Sequence, residues 1–178
     1  EEGSLILLRG GVYHGNVRAE GLRNLTISSY PGEVAIIDGG LPEFLDSPAE
    51  AWEPVPGSDG EFRSVRAYQQ LPVRNAESTN VLGNFAESMV PLHGHRFRTD
   101  LTSQNHNFAE LEGVKTAQSN GLYCGPGVWL NPETKHIHIR LAHTNQIGLE
   151  EKDQYRGETD PRKLPLVIAG RTASTLTL

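Results

Sequence analysis

Along the opening of the chain, short apolar runs alternate with glycine-marked corners. Leu5–Leu8 is continuously apolar and stops at Gly10–Gly11, whereas Leu25–Ser29 alternates Leu25 and Ile27 with Thr26 and Ser28. A continuous run of this kind predicts a buried parallel strand, and the alternation predicts a strand with one face inward. Each is followed by a second apolar step, Val12–Tyr13 in one case and Val34–Ile37 in the other. Their starts lie about one solenoid coil apart, within the roughly 20–50 residue range of coiled repeats. Pro31–Gly32 and Asp38–Gly39 supply the turns. The pattern predicts two coils of a β-solenoid.

From Leu41 to about Asp59 the pattern fades, and prolines at 42, 48, 54 and 56 rule out a continuous helix or a central strand. A second β-rich region follows, with EFRSVRAY, STNVLGNF, SMVPLHGHRF, GLYCGPGVWL and HIHIRLAHT separated by turn residues at intervals that predict an antiparallel unit. NPETK between Leu130 and His136 predicts a hairpin turn. Residues 145–163 are charged and weakly patterned, as in a surface connection. PLVIAG and the closing TLTL restore the opening style. The expected organisation is therefore solenoid coils at 1–43, an inserted antiparallel β unit at 44–160, and a return to the coil at 161–178.

Composition narrows the function classes. With 178 residues the chain suits one domain with a core, and 19 glycines and 11 prolines point to turn-rich architecture. A net charge of -6 and a pI near 5.6 exclude a nucleic-acid partner, because no basic run is present to neutralise phosphates. The single cysteine, Cys124, excludes an internal disulfide framework. No apolar run approaches the roughly 18 residues of a membrane span. The absence of an initiating Met and the stop within an alternating pattern at TLTL are read as marks of a portion of a longer protein.

LRGGVYHGNV and ISSYPGEVAIIDGG resemble the opening coils of right-handed parallel β-helix proteins of the pectate-lyase-like, carbohydrate-active group. The resemblance covers Leu5–Gly40 and, more loosely, Leu166–Leu178. It implies an all-β chain, the N-terminal coils of a right-handed parallel β-helix interrupted by the inserted antiparallel unit. It further implies a secreted, periplasmic or cell-surface protein that hydrolyses or eliminates glycosidic bonds of a polysaccharide, with catalytic groups on later coils. The alternative is a non-catalytic glycan-binding or adhesion solenoid, since such coils are shared by proteins of different function. A third reading, an oligomerisation unit, predicts an exposed apolar patch on the insertion. The sequence requires no cofactor.

The residues with chemical potential lie in the insertion. Alternation sends Ile137, Ile139 and Leu141 to one face and His136, His138 and Arg140 to the other. The polar set is a candidate surface for sugar hydroxyls or carboxylates, and also what any half-buried strand presents to solvent. Trp129 and Tyr123 flank Cys-Gly-Pro-Gly, where an aromatic ring stacks on a sugar or fills a small core. His93 and His95 repeat the two-residue spacing, so neighbouring strands are able to combine both histidine pairs into a metal site. Arg98 and Asp100 are candidate catalytic groups for an acidic sugar, Arg96 and Arg98 offsetting its carboxylate, with a surface ion-pair strand as the alternative. Asp100 with Glu87 is a candidate carboxylate pair. Cys124 lacks a local histidine partner and reads as a small buried hydrophobe.

Overall fold

A computed structural model describes residues 3–14, 21, 23–68, 79–85, 88–107 and 121–170. The chain divides into two compact units, the first running to Gly40 and the second beginning at Leu41.

In the first unit, β1 (Ser4–Leu8) pairs in parallel with β3 (Leu25–Ser29), and β2 (Gly11–His14) pairs in parallel with β4 (Ala35–Asp38). Both turns form where predicted. The Glu33 amide donates to the Tyr30 carbonyl at 2.9 Å, with Gly32 at φ +80°, and the Asp38 carboxylate accepts from the Gly40 amide at 2.7 Å. Each ladder nevertheless contains two strands only. Leu5, Ile6 and Leu7 remain 63%, 46% and 43% exposed, and Val12, Val34, Ile36 and Ile37 are exposed as well.

The expected parallel β-helix is therefore not the fold. Two short parallel pairs do not make the stacked sheets of a solenoid, and among the described residues the apolar run at Leu5–Leu8 is largely exposed. The remaining strands are committed to one mixed sheet. Leu166–Gly170, expected to resume the coil, belongs to that sheet, and the expected strand at 175–178 lies outside the described residues.

The second unit is built on seven strands: β5 (Trp52–Pro54), β6 (Glu61–Ala67), β7 (Thr79–Phe85), β8 (Ser88–Gly94), β9 (Gly127–Leu130), β10 (His136–Arg140) and β11 (Leu166–Gly170). Their order is β11-β7-β8-β9-β10-β6-β5. All neighbours are antiparallel except β8 and β9, which run parallel with His93 opposite Gly127, so the insertion is mixed rather than purely antiparallel.

The prolines act as expected. They confine helix to single turns, α1 (Glu43–Asp46) and α2 (Pro48–Ala51), with Pro48 in the first turn of the second, and Pro54 sits at the end of edge strand β5. The β9–β10 hairpin forms through Asn131–Lys135. The Asn131 side chain accepts the Glu133 and Thr134 amides at 2.9 and 3.1 Å, and Lys135 takes a left-handed φ of +62°.

One face of this sheet carries the core: Phe62, Val128, Ile137, Ile139, Leu166 and Ile168 pack with Phe44, Trp52 and Leu141. Phe44 and Trp52 rings meet at 4.4 Å. The opposite face carries polar side chains. It is closed partly by α3 (Arg98–Leu101), through its buried Asp100 and Leu101, and by the segment around the buried Leu122 and Tyr123.

No helix among the described residues is long and apolar enough to cross a membrane.

Gly127 fixes the parallel junction. A Cβ there would lie 2.4 Å from the His93 carbonyl oxygen and 2.7 Å from His95 Cδ2. Gly127→Ala is expected to cost about 1–3 kcal/mol, because neither the ladder nor the buried His95 ring has room to yield. Urea unfolding followed by tryptophan fluorescence measures it, and an unchanged midpoint would show that the junction is loosely packed.

Candidate functional site

Strand register decides which side chains meet on the polar face. His138 lies opposite Arg63 on β6 and opposite Trp129 on β9, and Arg140 lies opposite Glu61 and Gly127. Glu61, Arg63, Trp129, His138 and Arg140 therefore share one face, with Phe62, Val128 and Ile139 on the other.

Glu61 is the hub. Its side chain is 0% exposed, and its Oε1 accepts from His138 Nδ1 at 2.7 Å and from Arg98 Nε at 2.9 Å, while Oε2 accepts from Arg98 Nη2 at 2.7 Å. Burial alone pushes this carboxyl up. The His138 and Arg98 hydrogen bonds and the nearby positive charge outweigh burial and bring its pKa down to about 2. At neutral pH Glu61 is consequently an ion that only accepts, so the proton of the shared bond belongs to His138 Nδ1.

That assignment leaves His138 Nε2 as the free ring nitrogen. It has no hydrogen-bond partner among the described residues. Among those residues Trp52 Nε1 is the one fully buried side-chain polar atom left without a partner, so His138 Nε2 reaches solvent through the 7% of the residue that stays exposed. The half-buried Trp129 indole flanks the imidazole, its ring centroid 5.0 Å away and tilted by 59°. Arg98 enters the same site from α3. Its Nη1 is uncommitted among the described residues, and its side chain is 48% exposed.

The other expected polar residues are occupied by the fold. Arg140, whose side chain is 3% exposed, donates to the carbonyls of Asp59, Leu101 and Ser103 at 2.9, 3.3 and 3.0 Å, pairs with the Asp59 carboxylate at 3.2 Å, and lies 4.7 Å from the Tyr123 ring centroid. Tyr123 is fully buried and shares its hydroxyl between the Arg140 and Ala142 carbonyls at 3.2 and 3.0 Å. Asp100 is also buried, and its Oδ1 accepts the Gly121 amide at 2.7 Å. These three hold the cover onto the sheet. His136 bonds the Ser64 carbonyl through Nδ1 at 2.7 Å. Glu87, the expected carboxylate partner of Asp100, lies outside the described residues.

The two histidine pairs do not combine, because β9 separates β8 from β10. Among the described residues no group of three or more His, Cys, Asp or Glu side chains is placed to hold a metal ion. His95 is instead a buried ring stacked parallel to Tyr123 at 5.8 Å, and burial brings its pKa down to about 4. His93 lines a separate cleft of about 320 Å³ with Cys124, Gly125, Thr144, Gln146 and Tyr155. Burial pushes the Cys124 thiol up, which disfavours a thiolate nucleophile.

The sequence pattern singles out His138, Trp129 and Arg98 without the residue that organises them. Glu61 opens EFRSVRA, where period-two alternation against Phe62 puts a carboxylate on the polar side of a strand. Comparison with protein families, with characterised proteins and with solved structures finds no match for this chain.

Proposed function

We propose that the second unit recognises a polysaccharide through the Trp129–His138 pair on the polar face of its sheet. The observation that carries this reading is the half-buried indole 5.0 Å from an imidazole whose Nε2 has no partner among the described residues. A sugar ring presents an apolar C–H face and a rim of hydroxyls. The indole suits the face, and Nε2 and the free Nη1 of Arg98 suit the rim. Because Glu61 fixes both polar groups in advance, binding orders few additional side chains.

The chain has 2 tryptophans, and Trp52 is only 2% exposed, so a fluorescence change on adding oligosaccharide reports mainly on Trp129. Titration of the intact chain with neutral and acidic oligosaccharides is expected to give a saturable fluorescence signal, and calorimetric titration, which does not depend on the indole, is expected to show affinity about tenfold lower in Trp129→Ala, the loss of roughly 1.4 kcal/mol of stacking. Equal affinity in the variant, or no saturable signal across the panel, would overturn the reading.

A further inference from the structure

We infer that His138 is a general base able to hydrolyse esters, with Glu61 as its positioning residue. This deepens the reading above, since the substrate it implies is an O-acylated sugar held against Trp129. The inference rests on geometry. A buried carboxylate holds the imidazole by Nδ1 at 2.7 Å, which fixes the tautomer and leaves the basic Nε2 lone pair without a partner among the described residues. Carboxylate, oriented imidazole and an accessible second nitrogen together are the parts that general-base chemistry requires. The 48% exposed guanidinium of Arg98, anchored on the same carboxylate, offers Nη1 to an acyl oxygen as it gains negative charge.

The step balances without a cofactor. Water gives one proton to His138 Nε2 while its oxygen forms a bond to the acyl carbon. The bond from that carbon to the sugar oxygen then breaks, and the departing oxygen takes the proton back from Nε2. The products are a carboxylic acid and a free sugar hydroxyl.

Among the described residues, the charged groups around His138 are Glu61 and Arg63 from β6, Arg98 from α3, and Arg140 farther along its own strand, while β9 contributes the neutral Trp129. Arg63 is itself paired with Glu53 at 2.6 Å.

The test uses p-nitrophenyl acetate, a small ester that needs no glycan subsite, with the intact chain and His138→Asn, Glu61→Gln and Trp129→Ala. His138→Asn retains a donor for Glu61 but no basic nitrogen. The expected results are hydrolysis well above equimolar free imidazole, a loss of about 100-fold in His138→Asn, and a fall in kcat with KM for the ester unchanged in Glu61→Gln. A folded His138→Asn with the parental rate, or a parental rate no greater than that of free imidazole, would overturn the inference. A Glu61→Gln variant that folds and keeps the parental kcat would overturn the positioning role. If Glu61→Gln does not fold, His138→Asn decides alone. His138-dependent hydrolysis without oligosaccharide binding contradicts only the recognition reading, and binding without hydrolysis contradicts only this one.

Discussion

Arg140→Met is expected to destabilise the second unit by about 3 kcal/mol, lowering the urea midpoint of the tryptophan-fluorescence transition. The substitution keeps much of the side-chain volume but strands the carbonyls of Asp59, Leu101 and Ser103, which Arg140 now satisfies. Each buried carbonyl left without a donor costs about 1–3 kcal/mol, and relaxation of the cover toward water recovers part of the sum. The Asp59 carboxylate contributes little to the loss, because its side chain is 79% exposed and readily rehydrates. A change within about 0.5 kcal/mol, the range of an ordinary surface substitution, would mean that Arg140 does not hold the cover in place.

Glu61→Ala carries an effect of similar size with a distinct pH signature. Removing the hub leaves the buried His138 without its acceptor, whereas Arg98 regains water along its exposed half, so the expected cost is about 3 kcal/mol, the low end for a broken buried pair. In the parent, the Glu61 pKa lies at about 2 when folded against 4.5 for the free side chain. Its contribution is therefore complete above pH 4.5 and is lost as pH falls toward 2. His95 weakens the fold over a higher window. Its pKa is depressed to about 4 from 6.5, so the unfolded chain begins to gain a proton below pH 6.5 that the folded chain refuses until about 4. Stability against pH is expected to decline in these two overlapping stages in the parent. Glu61→Ala shrinks the lower stage to what the other depressed carboxyls, Asp59, Glu158 and Asp160, contribute, and retains the upper one, and a lower stage of unchanged size in the variant would assign it wholly to those carboxyls.

The period-two pattern of HIHIR makes the inward set Ile137 and Ile139 legible in the sequence, and the Asn-Pro turn does the same for the hairpin. Alternation reports which residues share a face. It says nothing of what covers that face, and the cover of His138 and Arg140 comes from α3 and from the segment around Tyr123, distant in sequence. That is why a solvated strand face is the natural expectation where two polar side chains are in fact buried. The solenoid expectation fails for a related reason. A run such as Leu5–Leu8 or Leu166–Ile168 reads the same whether its partner is a stacked coil or an antiparallel neighbour. In this chain the first run pairs in parallel with Leu25–Ser29 in a two-stranded ladder, and the second joins β7 at the margin of the large sheet. Glu61 is inconspicuous in the sequence because a carboxylate at the start of a strand usually faces water. Only the register of β6 against β10 brings it to His138.

The central claim, that Glu61 holds His138 in a single tautomer with Nε2 open, is tested most directly by ¹⁵N-resolved NMR of the histidine side chains in the intact chain near neutral pH. The account predicts a His138 Nδ1–H shifted downfield and slow to exchange with water, and an Nε2 with the chemical shift of an unprotonated ring nitrogen. A His138 ring carrying its proton on Nε2, or averaging rapidly between the two nitrogens, would contradict it.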